Sequence, residues 1–500
     1  MATDLDWALN RVKNRSQRLR EYKLYSDYYD GDQRLAFATE RFRTTFGHLF
    51  KEFAENFCAA VVDSLTDRLV VTGFRSSDAT VTTENVNSQI TGEQSHSKIS
   101  VTDPLGERAS RIWQLNDMEL KSQEVYRESL KCGDSYVIVW PDDQMFPAIF
   151  PQESWQCEVQ YDPNNPKTIL RALKIWYDDL EDRLRMNVYT ETQIVKYITR
   201  DKVEGYIPDS PGNWRVFGTV PNIYGTVPVF HFPNRTPHKL GISELRDAIA
   251  IQDGLNKSVM DMMIAMEFAS YKQRYIIGLD VEIDPETGEP KDNFARNYGA
   301  DRMMAIPDPD SKVGQFDATD LGQFLRVQDK FWASAARVTG TPLHYFFITS
   351  GDFPSGEAMK SAEARFVKKI EDRQILFGQK WEQVMKFALL IEGPPAGEDV
   401  EVEPVWEDAT SRSDAEIADT AVKKKAVGVS RSQILKELGY DDDTISRMLE
   451  ESDSYALAQA QLGASLQGND RTNPNPNRTP GQNNNGQPTP TSSGTKGVTR

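Results

Sequence analysis

The longest regular pattern in the chain runs from residue 355 to 391, where Ile370, Phe377, Trp381, Val384 and Ala388 keep one face apolar while charged residues fill the rest. Spacings of three, four and seven describe a helical stripe, so the pattern predicts one uninterrupted helix. Ser355 stands where an N-cap belongs, and Glu357 falls in the first turn, where a carboxylate meets free amides. The run GPPAG at 393–397 ends the helix, and Gly378 inside it permits a bend or a close approach. About 37 residues at ~1.5 Å each make a rod of roughly 55 Å. A rod of that length is more often a spanning element of an assembly than an active-site scaffold.

Weaker patterns surround it. Leu5, Leu9, Val12 and Leu19, followed by Tyr22, Tyr25, Tyr28 and Tyr29, predict a helix over 4–30 that Asp30-Gly31 stops. Leu49, Phe53, Phe57, Ala60, Val61 and Leu65 predict another over 49–67. Residues 76–104 turn polar and rich in Ser and Thr, which predicts a flexible loop. A helix over 105–131 follows, then strands at 135–140, around 148–161, and across 169–199, separated by Pro and Gly turns. That order favours an antiparallel sheet in an α/β body ending near 227–241. Next come a helix at 242–270, short strands and turns at 271–318, and a returning helix at 320–339, an arm that leaves the body and comes back. Its first helix, with roughly 28 residues, would be about 40 Å long. Two shorter helical patterns at 411–426 and 430–451 make a small terminal domain. Residues 466–500 are Asn, Pro, Gly, Thr, Gln and Ser with little to bury, and are expected to be disordered. The fold class is α+β.

Charge narrows the function. With 75 acidic against 58 basic residues the net charge is −17, which disfavours an adhesive nucleic-acid binder but suits a wall past which a polyanion slides. Five acids in 241–270 (Glu244, Asp247, Asp253, Asp261, Glu267) oppose only Arg246 and Lys257, and residues 391–410 carry seven acids and no base. The three cysteines, Cys58, Cys132 and Cys157, are too scattered for a disulfide framework or a CxxC metal site. No apolar signal core opens the chain and no run is long enough to cross a bilayer, so neither export nor membrane insertion is expected.

Catalytic signals are scarce. There is no GxGxxG, and the only Gly-Thr-Lys lies in the polar tail. His231 and His238 flank prolines and read as packing or turn residues; Asp142-Asp143 and Asp178-Asp179 read as solvated turns. The acidic run 441–443 before Thr444 reads as a helix start, and Lys423-Lys424-Lys425 as a helix C-terminus. No catalytic residue, metal or cofactor is predicted, and the chain is not expected to be an enzyme.

The order of elements, with YYDGDQRLAF at 28–37, VVDSLTDRLVVTGF at 61–74 and SGEAMK at 355–360, resembles the portal proteins of tailed bacteriophages, in the branch common among phages of actinobacteria. The resemblance covers about residues 5–450 and rests on the combination of motifs. It implies a ring, commonly of twelve subunits, at one capsid vertex of the virion, assembled in the host cytoplasm. Genomic double-stranded DNA would be packaged and ejected through it without sequence specificity. It further implies a wing at 1–240, with the loop at 76–104 inside it, a first stem helix at 241–270, a clip at 271–320 and a second stem helix at 321–340. A channel loop at 341–354, the long helix at 355–391 and a crown at 392–455 complete the scheme. Implied partners are other copies of the chain, terminase, the head–tail adaptor, and the major capsid and scaffolding proteins. By the same comparison Tyr345, Phe346 and Phe347 sit in the channel loop, which has no Lys or Arg to grip phosphate. Glu244, Asp247, Asp253 and Asp261 are expected to line the channel, and Ile370, Phe377, Trp381 and Val384 to pack the long helix. Two other readings stay open on the sequence: a phage scaffold or tail structural protein, and a metal-dependent packaging nuclease.

Overall fold

Apolar stripes and turn residues divide the chain more finely than its sequence pattern suggests. The computed structural model describes residues 4–33, 55–77, 80–86, 96–236, 239–270, 274–277, 284–288, 303–306, 313–315, 321–346, 356–393, 401–410, 414–438, 444–445, 447–449, 451–452 and 454. The predicted N-terminal helix is two, α1 (Asp4–Asn14) and α2 (Ser16–Asp30), which meet at Arg15. Gly31, at φ 84°, ends the second in the left-handed conformation that glycine adopts without steric cost. Helix α3 spans Phe57–Thr66, shorter than the 49–67 pattern, whose first residues lie outside the described ones.

After β1 (Val71–Ser76), the expected flexible loop contains a hairpin, β2 (Thr80–Val86) paired antiparallel with β3 (His96–Thr102). The Thr residues that read as loop are β-branched strand formers, and the apolar alternation of the hairpin is confined to Val81, Ile99 and Val101. The 105–131 helix is likewise two, α4 (Pro104–Leu115) and α5 (Met118–Cys132), broken where Asp117 takes a left-handed φ of 55°. Asp103 caps α4, its carboxylate accepting from Gly106 N at 2.9 Å.

Then follow β4 (Asp134–Pro141), β5 (Pro147–Gln152), β6 (Cys157–Tyr161), β7 (Ile169–Asp178), β8 (Arg183–Thr190), β9 (Gln193–Thr199), β10 (Trp214–Pro221) and β11 (Val229–Pro233). They form two antiparallel sheets, ordered β11-β4-β5 and β10-β9-β8-β7-β6. Helix α1 seals one face of the larger sheet with Trp7, Ala8, Leu9 and Val12 against Leu173, Ile175, Met186 and Val188. The opposite face meets the smaller sheet through Tyr136, Ile138, Ala172, Tyr189 and Ile194. Strand β4 is buried on both sides because its other residues, Val137 and Val139, enter the main core.

The arm consists of α6 (Ile249–Ser270), the short strands β12 (Arg274–Ile277), β13 (Met303–Ile306) and β14 (Val313–Gln315), and α7 (Gly322–Thr339). Strand β12 pairs parallel with β13 and antiparallel with β14. A 3-10 turn at Leu343–Tyr345 leads to α8 (Gly356–Glu392), whose 37 residues form the axis of the main core. The expected N-cap Ser355 lies outside the described residues. Strand β15 (Val402–Trp406) returns to pair with β1. A Cβ on Gly378 would lie 3.3 Å from the Trp406 indole nitrogen, so this glycine permits close approach of β15 to α8.

The chain forms two compact units, Met1–Thr410 and Ser411–Arg500. The second contains α9 (Asp414–Ala426) and α10 (Arg431–Glu437), with Ile434 and Ile445 buried; the predicted disordered tail lies outside the described residues.

Candidate functional site at the helical arm

The arm is built as two antiparallel helices in contact. Gly254 of α6 lies under the Phe331 ring of α7, where a Cβ would come within 2.6 Å of the ring, and the Gln328 amide of α7 faces the Met262 sulfur of α6 at 3.8 Å. On α7, Phe324, Val327, Phe331, Ala335 and Val338 recur at helical spacing, but only Ala335 and Thr339 of the whole helix are buried. Leu325 is 55% exposed and Met266 of α6 46%, and Met263, Val327 and Val338 are also exposed. Apolar side chains of both helices therefore reach solvent.

The base of the arm is fastened by polar contacts. Gln252 accepts from Phe57 N at 3.0 Å, and Asn256 accepts from Glu55 N at 3.1 Å and donates to Gln33 at 2.6 Å. These amides occupy backbone groups at the start of α3 that no helix partner can reach. Tyr28 donates its hydroxyl to Asp253, whose carboxyl burial raises above the usual range.

The expected channel-lining acids separate into distinct environments. Glu244 is a correction to the sequence reading: residues 244–248 are turn, α6 begins at Ile249, and the Glu244 side chain is fully buried. Its carboxylate receives Lys369 Nζ and Arg373 Nη2, each at 2.7 Å, the Arg235 guanidinium, and Asn234 Nδ2 at 2.9 Å. Burial opposes its ionisation, yet Lys369, Arg235 and Arg373 outweigh that cost and hold the carboxyl well below the usual carboxylate range. Arg235 holds a left-handed φ of 67°, uncommon for a residue with a side chain, at the turn that presents it to Glu244. An acid enclosed in this way repels nothing outside the fold. Asp247 is exposed beside Arg246, Asp261 is paired with Lys257, and Asp253 is engaged by Tyr28. The negative balance of 241–270 also has a counterweight: Arg326, Lys330 and Arg337 against Asp329 on α7 offset Asp253, Asp261 and Glu267 against Lys257 on α6.

The aromatic segment before α8 is packed as well. Tyr345 accepts from Arg68 at 2.9 Å and its ring meets Phe366, while Phe346 packs on Phe57 and Trp332. Both are half-buried and pack against the core of their own chain; Phe347 lies outside the described residues. Further along α8, Ile370, Phe377, Trp381 and Val384 are all fully buried. The Trp381 indole donates to Tyr126 Oη at 2.7 Å and its ring meets Trp113 and Phe232.

A second buried charge cluster was not anticipated from sequence. Asp134, at the start of β4, accepts from Arg18 at 2.7 Å, Tyr22 at 2.6 Å and Gly241 N at 2.6 Å, and its other close neighbour is His231 Nε2 at 2.8 Å. Burial opposes its charge, but His231 and Arg18 hold the carboxyl far below the usual range. The only sequence signal was the placement of an aspartate at the head of an otherwise apolar strand. Its partners lie on α2, on β11 and in the turn before α6, so the cluster ties the arm's root to the body. Among the described residues no group of three His, Cys, Asp or Glu side chains is placed to hold a metal, and the three cysteines are buried and free.

Comparison with known proteins places this architecture. The chain is 26% identical over 427 residues to the portal protein of Mycobacterium phage L5, covering 81% of this chain and 79% of that one. It is 27% identical over 400 residues to the portal protein of Mycobacterium phage D29, covering 76% and 74%. The family described as phage portal protein, SPP1 Gp6-like, matches residues 10–456, the body, the arm and the long helix together. This chain belongs to that portal protein family.

Proposed function

We propose that the chain assembles as a ring of about twelve copies at one capsid vertex and encloses the channel through which double-stranded DNA is packaged and ejected. The observation that carries this reading is the arm: a helix pair rooted in the body by buried polar contacts, with Met263, Met266, Leu325, Val327 and Val338 exposed along it. A cyclic ring needs heterologous interfaces in which each copy buries its face against the next, and these residues supply one. Family membership supports the rest. Residues 1–240 are assigned as wing, 241–270 and 321–340 as stem, 271–320 as clip for terminase and then the tail adaptor, 341–354 as channel loop, and 392–455 as crown. Capsid and scaffolding proteins would meet the outer surface, first in the host cytoplasm and finally in the virion.

The channel acids narrow to those that reach solvent. Asp247 and Asp261 remain candidates for weakening adhesion of DNA, while Glu244 and Asp253 act within the fold. Negative-stain imaging and mass photometry of the purified chain test the central reading. Rings with a central hole and a mass near twelve subunits are expected. A uniform population of single subunits at micromolar concentration would overturn it, and metal-dependent DNA cleavage would move the reading to a packaging nuclease.

A further inference from the structure

The five-stranded sheet is sealed by α1 on one face but only half covered on the other. Ala172, Tyr189 and Ile194 meet the smaller sheet, and the cross-strand row beside them is Lys174, Asn187 and Lys196. Lys174 stands opposite Asn187, and Asn187 opposite Lys196, so all three project from the same face in register. A cavity of about 270 Å³ opens there, walled by Ile138, Trp140, Phe150 and Tyr189 with both lysines at its edge. A second hollow of about 160 Å³ shares Asn187 and Lys196 and continues to Trp176, Arg185 and Phe217. The two form one groove, apolar at one end, cationic in the middle and aromatic at the other end.

Its charges are unbalanced. Arg185 is paired with Asp178 at 2.6 Å and Glu181 at 3.0 Å, but neither lysine meets an acid among the described residues. The Lys174 ammonium lies 5.0 Å from the centroid of the Trp176 ring, and burial lowers its pKa. In a chain of net charge −17, two cations that meet no carboxylate among the described residues, beside exposed apolar walls, are complementary to a negatively charged ligand. Phe150 is 50% and Phe217 56% exposed, so the walls are open to a ligand.

We propose that this groove binds an extended acidic peptide segment of a partner protein, with a carboxylate seated between Lys174 and Lys196. Apolar side chains on either side of that carboxylate lie against Trp140 and Phe150 at one end and Trp176 and Phe217 at the other. The two lysines are two strands apart, roughly 10 Å between backbones, within reach of one carboxylate for side chains of this length. A nucleic-acid strand fits less well, because its affinity comes from many phosphate contacts and this groove offers two free cations. The site is separate from the arm and does not depend on ring formation.

A fluorescein-labelled octapeptide of alternating glutamate and leucine, titrated into the full-length protein and followed by anisotropy, tests the proposal. Saturable binding is expected, weakened about tenfold in the K174Q/K196Q variant and restored in K174R/K196R. A glutamine-for-glutamate peptide should bind as weakly as the double variant. Equal affinity of wild type and K174Q/K196Q, or equal binding of the glutamine peptide, would overturn the proposal. So would a deoxythymidine oligonucleotide that competes more strongly than the peptide, or displacement by a second copy of the chain. Thermal melting verifies the fold of each variant; if the double variant melts early, K196Q alone decides.

Discussion

Helices α7 and α8 carry apolar stripes of similar spacing and meet opposite fates. In α8 the stripe is sealed: Ile370, Phe377, Trp381, Val384, Met385 and Ala388 have no exposed surface. In α7 the stripe is covered on one side by α6, and Val327 and Val338 on that stripe remain exposed. Amphipathicity reports that a face wants a partner without saying whether the partner is the same chain. The stripe of the long helix is covered within its own chain, whereas that of α7 is covered at Phe331 and Ala335 but not at Val327 and Val338.

The contrast breaks most visibly at Trp381. Its ring fills space between Trp113, Phe232 and Tyr126, and its nitrogen has a hydrogen bond that truncation would strand on the Tyr126 side. Trp381→Ala is expected to cost about 4 kcal/mol in urea unfolding, from lost burial and the cavity left behind. A loss below about 1 kcal/mol would mean that α8 is not the axis of the core.

Glu244 comes next. Glu244→Gln leaves Arg235, Lys369 and Arg373 together with no negative charge and is expected to cost about 3 kcal/mol at neutral pH. The sign with pH follows from the lowered carboxyl. The folded state holds Glu244 ionised below the pH at which the unfolded chain takes up a proton. Its stabilisation is complete above about pH 4.3 and fades as pH falls toward the folded value. Wild type and Glu244→Gln should therefore converge in acid, and a constant gap down to pH 3 in urea midpoints would count against the cluster.

Lys380 tests the sealed side in the opposite direction. It is buried on α8 with no acid among the described residues near it, and burial lowers its pKa to about 8. A lysine whose folded pKa lies below its unfolded value costs stability wherever it is charged, and the cost is relieved as pH rises from about 8 to about 10.5. Lys380→Met should raise the urea midpoint at pH 7, with the advantage shrinking at pH 9.5. A gain that does not change with pH would mean that the ammonium already reaches water.

How much of this was readable in advance depended on whether a residue's partner was near in sequence. The stripe of α8 was legible because Ile370, Phe377, Trp381 and Val384 define it by their own spacing, and Gly378 was legible as a close approach although Trp406 was not nameable as the neighbour. Glu244 misled because it reads as one of the acids of a helix over 242–270, whereas its partners Lys369 and Arg373 lie more than a hundred residues away. Tyr345 and Phe346 were legible only as an aromatic run before a helix, and their contacts with Phe366 and Phe57 could not be named from it. The β2–β3 hairpin was missed because Val81, Ile99 and Val101 are the few apolar residues that alternate in strands otherwise made mostly of Thr, Ser and charged or amide residues.

The smallest effect on the single chain is expected on the arm, and it sharpens the contrast most. Val327→Glu and Val338→Glu place a charge on side chains already in contact with water, so each should change the stability of the isolated subunit by no more than about 0.5 kcal/mol. If those valines are buried by a neighbouring copy, the same charge is driven into an apolar interface at a desolvation cost that Lys330, three residues after Val327, offsets only in part. Assembly should then fail while folding persists: circular dichroism and urea midpoints of dilute subunits match wild type, and sedimentation shows the large species lost. Retention of the wild-type oligomer in both variants would place the subunit interface elsewhere and leave the exposed stripe of α7 without an occupant. Loss of the fold together with the oligomer would show that α6 covers α7 more completely than the exposed valines indicate, and the difference between the two helices would be one of degree.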